Sequence, residues 1–416
     1  MRVMILYPPV LPFGYTLHHR FQRLWEAGAY VRIRYPSTTI VDAGLMNMLK
    51  GQVLNEYATG YDAVAVYAEP QMLQDVADFV DRFNHMDSRT RIMLYGPAVV
   101  CFPALARALP VDAVGCRGDY EAQLRQFVDW ASGGMVRVSN LAIRSGSQWI
   151  EPTDTPELVG EVDWAYPPLD EMPMADIARI YTMKGQPTTV AVTASRGCPY
   201  RCTFCATPEL EGRPDRRRNP EALAQYIEQN QQHSHWQLYS PTFTLDRHWC
   251  MEFFKQLDRR QVAINWRCTT RVDRLDPQLT EAMAASGCSM VGLGIETLGP
   301  ALLSIKKGIG QPDMARAIRM LVASGIAVKA YIMLGLPGQR LQDVRRTIDF
   351  VHDLGAEIRP TMYSPQGSAD GLPDAAAGLG GDDVSAIDRK SFLQDREHYG
   401  EYLRLVFSRS SRQLPS

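Results

Sequence analysis

Cys198, Cys202 and Cys205 fall within eight residues, in the stretch Ala-Ser-Arg-Gly-Cys-Pro-Tyr-Arg-Cys-Thr-Phe-Cys at 194–205. With only eight cysteines in 416 residues, such clustering reads as a metal or redox centre more than a disulfide framework. Intervals of four and three on one loop let three thiolates wrap three corners of an iron–sulfur cubane, and Gly197 and Pro199 permit the bend. Three protein ligands leave one iron open, and an open metal position is where chemistry is expected. Structural zinc would need a fourth ligand that only a chance approach of His248, Cys250 or Cys268 could supply. A ferredoxin-like carrier would bring a fourth cysteine at regular spacing, and none is present.

The amino and carboxylate groups of S-adenosylmethionine (SAM) can chelate such an open iron. One electron then cleaves the sulfonium C–S bond, and the resulting adenosyl radical abstracts hydrogen from a substrate. At this point the sequence resembles the radical SAM superfamily, whose CxxxCxΦC motif is matched in full with Phe204 as Φ. Leu238–Trp249 (LYSPTFTLDRHW), Trp266–Leu275 (WRCTTRVDRL), Val291–Thr297 (VGLGIET), Ile305–Gly308 (IKKG) and Met333–Gln339 (MLGLPGQ) are similar to the successive strand-end motifs of one subgroup. That subgroup carries an N-terminal cobalamin-binding-type domain.

The resemblance implies a [4Fe-4S] cluster on Cys198, Cys202 and Cys205, and SAM contacts along the strand ends. Phe204 would lie near the adenine and Ser240 near the SAM amino group. Thr269 and Arg271 would end the third barrel strand and Glu296 the fourth. Lys307 would meet the SAM carboxylate, and Gly335 with Leu336 would form the wall under the adenine. Relatives commonly show two acidic residues where this chain has Ser240-Pro241. The Asp-x-His-x-x-Gly cobalt-ligand signature is absent too, because His18 and His19 are preceded at its spacing by Thr16 and Leu17. Cobalamin without histidine ligation therefore stays open, whereas no G-x-G-x-x-G follows the first strand to support a dinucleotide.

The elements that position these residues follow from pattern. Over residues 1–149, β-type runs alternate with helical stretches: Val3–Leu6, Val31–Tyr35, Ala63–Tyr67, Ile92–Tyr95 and Ala113–Val114 as strands; Phe21–Ala27, Ala43–Tyr57, Met72–Phe83, Pro103–Leu109 and Tyr120–Ala131 as helices. This predicts a doubly wound Rossmann-like α/β sheet of B12-binding type. Residues 150–187, rich in proline and without sustained periodicity, read as a linker. Over 188–365 six strands are expected: Thr189–Thr193, Trp236–Tyr239, Ile264–Thr269, Met290–Ile295, Val328–Leu334 and Thr361–Tyr363. Helices such as Pro220–Gln231, Trp249–Leu257, Pro277–Ala285 and Met314–Ser324 lie between them. Six repeats suit a partial (β/α)6 TIM-like barrel. Asn219 and Pro220 supply a helix N-cap and first position, and Arg213, Arg216, Arg217 and Arg218 before them read as a solvated loop. Residues 366–416 form a short C-terminal extension with a last helix near Arg389–Phe407.

Forty-four basic and 46 acidic side chains give a net charge of −2, no field that would gather nucleic acid or an anionic membrane. The apolar run at Val3–Leu6 stops at Pro8 and Pro9, and Ala317–Pro337 reads as a helix plus a strand, so a cytoplasmic enzyme with a small-molecule substrate is expected. An electron donor such as flavodoxin or ferredoxin would feed the cluster. The expected reaction is hydrogen abstraction from a polar natural product, such as an aminosugar, leading to dehydration, deoxygenation or rearrangement. The alternative is cobalamin-dependent C-methylation in natural-product biosynthesis. A short segment after the barrel and the missing histidine tip the expectation to the first. Tyr363, Ser364, Asp388, Arg389 and Lys390 are candidates to face the substrate.

Overall fold

The computed structural model describes residues 1–9, 17–69, 72–134, 138–152, 155–183, 185–363 and 398–410. Two compact units emerge: Met1–Thr193 with Ala206–Arg216, and Ala194–Cys205 with 217–363 and 398–410.

In the first unit the apolar runs form β1 (Val3–Tyr7), β2 (Thr38–Asp42), β3 (Ala63–Tyr67), β4 (Arg91–Tyr95), β5 (Ala113–Gly115), β6 (Leu141–Ser145) and β7 (Gln148–Ile150). They make one sheet in the order β2-β1-β3-β4-β5-β6-β7. The first five strands pair in parallel, with Tyr7 beside Asp42 and Tyr67 beside Tyr95 at their carboxyl ends. β6 and β7 close the sheet in antiparallel fashion. Every residue of β1 and β3 is buried, as continuous apolar strands covered on both faces require. The strand order reverses around β1, the point where doubly wound sheets open a ligand crevice.

The Val31–Tyr35 strand expected from β-branched residues is instead the end of a helix, Leu17–Arg34. Leu24, Ala27, Gly28 and Val31 share one face at helical spacing, and the three with side chains are each under a tenth exposed. A Cβ on Gly28 would lie 2.3 Å from Ile40 Cδ1, so glycine lets this helix approach β2. The expected Ala43–Tyr57 helix is shorter, Lys50–Tyr57, because residues 43–47 are spent on turns. The 150–187 segment is not wholly irregular. Met174–Met183 is helical and buries Ile177, Ile180 and Tyr181.

β8 (Thr189–Thr193), β11 (His235–Tyr239), β12 (Asn265–Thr270), β13 (Cys288–Glu296), β14 (Ala327–Leu334) and β15 (Glu357–Met362) form the second sheet. Between β8 and β11 come two short strands, β9 (Ser195–Arg196) and β10 (Arg216–Arg217). The order β15-β14-β13-β12-β11-β8 is sequential, and the pairs from β11 to β15 are parallel. This is the six-stranded partial barrel. Helices start where the sequence says they should: Asn219, Asp246 and Asp276 accept from Ala222, Trp249 and Leu279 N–H groups at 3.0, 2.9 and 2.9 Å. Phe243, Trp249, Phe253, Phe254 and Trp266 pack as one aromatic cluster behind β12. A further helix, Leu341–Asp353, was not expected; its buried Val344, Thr347, Ile348 and Val351 sit among charged residues that mask the stripe. Of the last helix, Tyr399–Ser410 is seen, and 389–397 lies outside the described residues.

The arginine run is not a solvated loop. Only Arg213 is exposed. In the first unit Arg216 donates twice to the fully buried Asp119, at 2.6 and 2.9 Å. In the second unit Arg217 donates to the carbonyls of Phe243 and Thr242, and Arg218 is 2% exposed. The guanidiniums satisfy buried acceptors that composition alone does not reveal.

Candidate active site

The sequence-predicted residues of the second unit gather at one end of its sheet. Ser240 follows β11, Thr269 and Arg271 end β12, Glu296 is the last residue of β13, Gly335 follows β14, and Tyr363 follows β15. These are the carboxyl ends, where barrels build their sites.

Gly197, with φ of +82°, turns the chain into the cysteine loop. Cys198 is buried, Cys202 and Cys205 are half-buried, and all three are free thiols. The loop is held by the Cys205 N–H on the Cys202 carbonyl and by the Thr203 N–H on the Ile305 carbonyl, both at 3.2 Å. Burial pushes the Cys198 thiol up, against the Tyr200 backbone N–H, the Thr242 side chain and the Arg271 charge, which favour its thiolate. Among the described residues no three His, Cys, Asp or Glu side chains converge on one ion. The donor set nevertheless suits a [4Fe-4S] cluster, which takes its thiolates one per iron and is tuned by N–H groups aimed at sulfur.

Ser240 is fully buried; its hydroxyl meets that of Ser195 at 2.5 Å and its carbonyl accepts from Thr269 Oγ1 at 2.9 Å. Glu296 and Lys307 are brought together: Lys307 Nζ donates to Glu296 Oε1 at 2.6 Å and to the Gly294 carbonyl at 2.8 Å. A Cβ at Gly294 would stand 2.2 Å from Lys307 Nζ, so glycine makes room for the ammonium. Glu296 has φ of +64° beside an irregularity in the β13–β14 register, a left-handed conformation that costs a non-glycine residue on the order of 1 kcal/mol or more. Such strain at a strand end is typical of functional positions. An ammonium carries three N–H donors, so Lys307 keeps one for a ligand.

Phe204, from the cysteine loop, packs on Ala301, Ile305, Met333 and Leu336, with Tyr363 against the same cluster. Its ring centre lies 5.9 Å from Lys307 Nζ. Gly335, at φ of +80°, lets the chain reverse after β14. Ser364, Asp388, Arg389 and Lys390 lie outside the described residues.

Sequence reasoning overlooked several partners. Gln339 Oε1 accepts from the N–H groups of Gly335 (2.8 Å) and Leu336 (3.3 Å), while its Nε2 donates to Thr297 Oγ1 and the Met333 carbonyl, both at 2.9 Å. Its signal was its place in the loop after β14, where an amide can mimic backbone. Tyr200 and Asp273 surround Arg271: the guanidinium carbon sits 3.6 Å from the Tyr200 ring centre, and Asp273 accepts two hydrogen bonds. Only the i, i+2 spacing of Arg271 and Asp273 hinted at this.

Residues 192–351 match the radical SAM superfamily. An uncharacterized methyltransferase of Pyrococcus horikoshii is 25% identical over 303 residues, covering 70% of this chain and 64% of that protein. The tryptophan 2-C-methyltransferase of Streptomyces laurentii is 22% identical, covering 40% of this chain and 31% of its own. The bacteriochlorophyllide d C-12(1)-methyltransferase of Chlorobaculum tepidum is 24% identical, with 39% and 37% covered. The chain thus spans less than two thirds of each of these relatives. Among solved structures, the radical SAM methyltransferase TsrM from Kitasatospora setae, with cobalamin and a [4Fe-4S] cluster bound, matches 88% of this chain and 73% of its own at TM-score 0.69 and 15% identity. The cobalamin-dependent radical enzyme OxsB matches 84% of this chain and 51% of its own at TM-score 0.68 and 15% identity. At these identities the likeness is one of fold. No described helix is long and apolar enough to cross a membrane. The family match falls on the barrel that carries the cysteine loop, so residues 192–351 are a radical SAM domain, a family whose cofactors are a [4Fe-4S] cluster and SAM, and the α/β sheet that precedes it with this barrel has a fold similar to those of TsrM and OxsB.

Proposed function

We propose that this chain is a cobalamin-using radical SAM methyltransferase that adds a methyl group to carbon in a small natural-product substrate, with an external flavodoxin- or ferredoxin-like electron donor. The observation that carries the reading is that the curated relatives described above are methyltransferases by name. They favour methyl transfer over the dehydration, deoxygenation or rearrangement expected from the sequence. The proposed division is a cobalamin-binding-like domain over 1–149, a linker over 150–187, the barrel over 188–365 and an extension over 366–416.

The first unit has features that suit a corrin. At the carboxyl ends of β2 and β4, Asp42 and Tyr95 are both fully buried. Asp42 Oδ2 and the Tyr95 hydroxyl lack any hydrogen-bond partner, an unusual state for buried polar atoms. Tyr7, Tyr67, Tyr95 and Tyr120 assemble around them through ring centres 5.4–6.0 Å apart. Burial, and the neighbouring Tyr120 and Asp42, keep the Tyr95 hydroxyl protonated as a donor. Asp42 and Tyr95 would hold the amide-rich corrin rim.

When bound, the cluster supplies an electron to the SAM sulfonium and cobalamin supplies the methyl carrier. Cys198, Cys202 and Cys205 would hold the cluster. Lys307, fixed by Glu296 and Gly294, would direct its remaining N–H to the SAM carboxylate, and Ser240 and Thr269 would shape the floor beside the SAM amino group. Phe204, Gly335 and Leu336 would exclude water from the adenine.

The test is anaerobic reconstitution with iron, sulfide and hydroxocobalamin, then incubation with SAM labelled at its methyl group, a reductant and candidate substrates. The expected result is about one cobalamin per chain, with S-adenosylhomocysteine and a labelled product. Absence of cobalamin, with 5′-deoxyadenosine as the sole SAM-derived product, would return the reading to hydrogen abstraction without methylation.

A further inference from the structure

We propose that Arg271 is a positioning residue of the iron–sulfur cluster rather than a contact of SAM, and that it holds Cys202 and raises the cluster's reduction potential. The inference rests on the cluster being bound by Cys198, Cys202 and Cys205.

A guanidinium has five N–H groups in a rigid fork. Arg271 Nε donates to Asp273 Oδ1 at 2.9 Å, and Nη2 donates to Asp273 Oδ2 at 3.1 Å and to the Lys307 carbonyl at 2.9 Å. Nη1 points at Cys202 Sγ, 3.7 Å away. Four of the five donors are therefore engaged, and the side chain is 8% exposed. Bidentate capture of a carboxylate needs two parallel N–H groups along one edge. The Nε/Nη2 edge is taken by Asp273, and only one Nη1 hydrogen is left. A SAM carboxylate could be gripped here only by displacing Asp273, whereas Lys307 already offers a donor for it.

What Arg271 does reach is the cysteine loop, at two points. Its nitrogen meets Cys202, and its flat face lies on the ring of Tyr200, between Cys198 and Cys202 in sequence. Tyr200 is fixed from its other end by its hydroxyl, which accepts from Arg274 Nε at 2.5 Å. Through the Lys307 carbonyl the same guanidinium ties the loop to the segment that presents the Lys307 ammonium. Loop and ammonium are thus set relative to each other by one side chain.

Reduction adds one negative charge to the cluster, shared with its sulfurs. A fixed cation with an N–H aimed at a ligand sulfur stabilises that charge, and hydrogen bonds to sulfur are an established lever on cluster potential. Asp273 offsets part of the field, but it sits on the guanidinium edge away from Nη1. The potential therefore falls when Arg271 is removed.

The experiment is a potentiometric titration followed by electron paramagnetic resonance on reconstituted wild type, R271Q and R271K, with iron content and SAM dissociation constants measured alongside. At a fixed reducing poise, R271Q should show about a tenfold lower ratio of reduced to oxidised cluster, about 59 mV for a one-electron couple. R271K, which keeps the charge without the fork, should fall between. Loss of iron in both variants with the wild-type circular dichroism spectrum would support the positioning role. An unchanged potential in either variant, or a SAM affinity weakened tenfold with the potential intact, would overturn the proposal. Wild-type protein that binds no iron would instead refute the cluster assignment itself.

Discussion

Lys307 and Glu296, eleven residues apart, form an ion pair of 2.6 Å in which both side chains are less than a tenth exposed. Breaking such a pair strands a buried charge and costs about 3–5 kcal/mol, whereas removing both charges is often nearly neutral. E296Q should therefore lower the melting temperature sharply, and the double variant E296Q/K307M should recover most of it. Recovery of stability should not bring recovery of SAM binding, because the ammonium is gone. Thermal unfolding together with a SAM binding isotherm separates the two effects. Equal melting temperatures for the single and double variants would refute the coupling.

Replacing Cys198, Cys202 or Cys205 singly by alanine should leave the barrel folded, since none of the three side chains is a large part of a core. Each variant should lose the iron signal and form no 5′-deoxyadenosine from SAM and a reductant. Alanine at the buried Cys250, Cys268 or Cys288 should retain iron. Iron and sulfide analysis decides this directly, and a variant of the cysteine loop that kept a full complement of iron would refute the ligand set.

Gln339 satisfies two backbone N–H groups and ties them to Thr297 and the Met333 carbonyl. Q339A leaves those groups to find water or stay unpaired, at about 1–3 kcal/mol for each that remains buried. Leu336, one of the residues it holds, packs in the cluster that includes Phe204. The expected consequence is about a tenfold weaker SAM dissociation constant with cluster content unchanged. An unaltered affinity would mean that the loop keeps its shape without the amide.

The contrast between Cys198 and Gln339 shows what the sequence could reveal. Cysteine spacing within one loop is local information, and so is the Val-Gly-Leu-Gly-Ile-Glu stretch that becomes β13; both were readable before any fold was known. Gln339 had a local signal only in its place after β14, and its reach to Thr297, 42 positions away, is not written in that stretch. Arg216 and Arg218 show the same limit from the other side: a run of arginines reads as solvated until the buried Asp119 and its neighbours are in place. At Val31–Tyr35 β-branched residues suggested a strand, but the i, i+3, i+4, i+7 face from Leu24 to Val31 determined a helix. The alternation of apolar runs with helical stretches announced two α/β sheets with parallel strands, because strands joined by helices leave few other topologies, although β2 forms at Thr38–Asp42 rather than at Val31–Tyr35. The β6–β7 hairpin was missed, its outer strand being only three residues long.

Asp42 makes the fold itself sensitive to pH. Burial pushes its carboxyl up from 3.8 to about 7, although the Leu45 N–H on Oδ1 and the Trp25 side chain pull the other way. Between those values the folded chain holds a proton that the unfolded chain has released. The contribution of Asp42 to stability is therefore greatest below about pH 4, declines by about 1.4 kcal/mol per unit as the pH rises toward 7, and is flat above. D42N copies the neutral acid and removes that slope. In cobalamin-free protein D42N should melt near the wild-type temperature at pH 4–5 and clearly above it at pH 8, the gap widening across the window. Differential scanning calorimetry at several pH values measures it. Parallel curves for the two proteins would mean that Asp42 is ionised in the fold, and that its unpartnered oxygen carries a charge the surrounding tyrosines must accommodate.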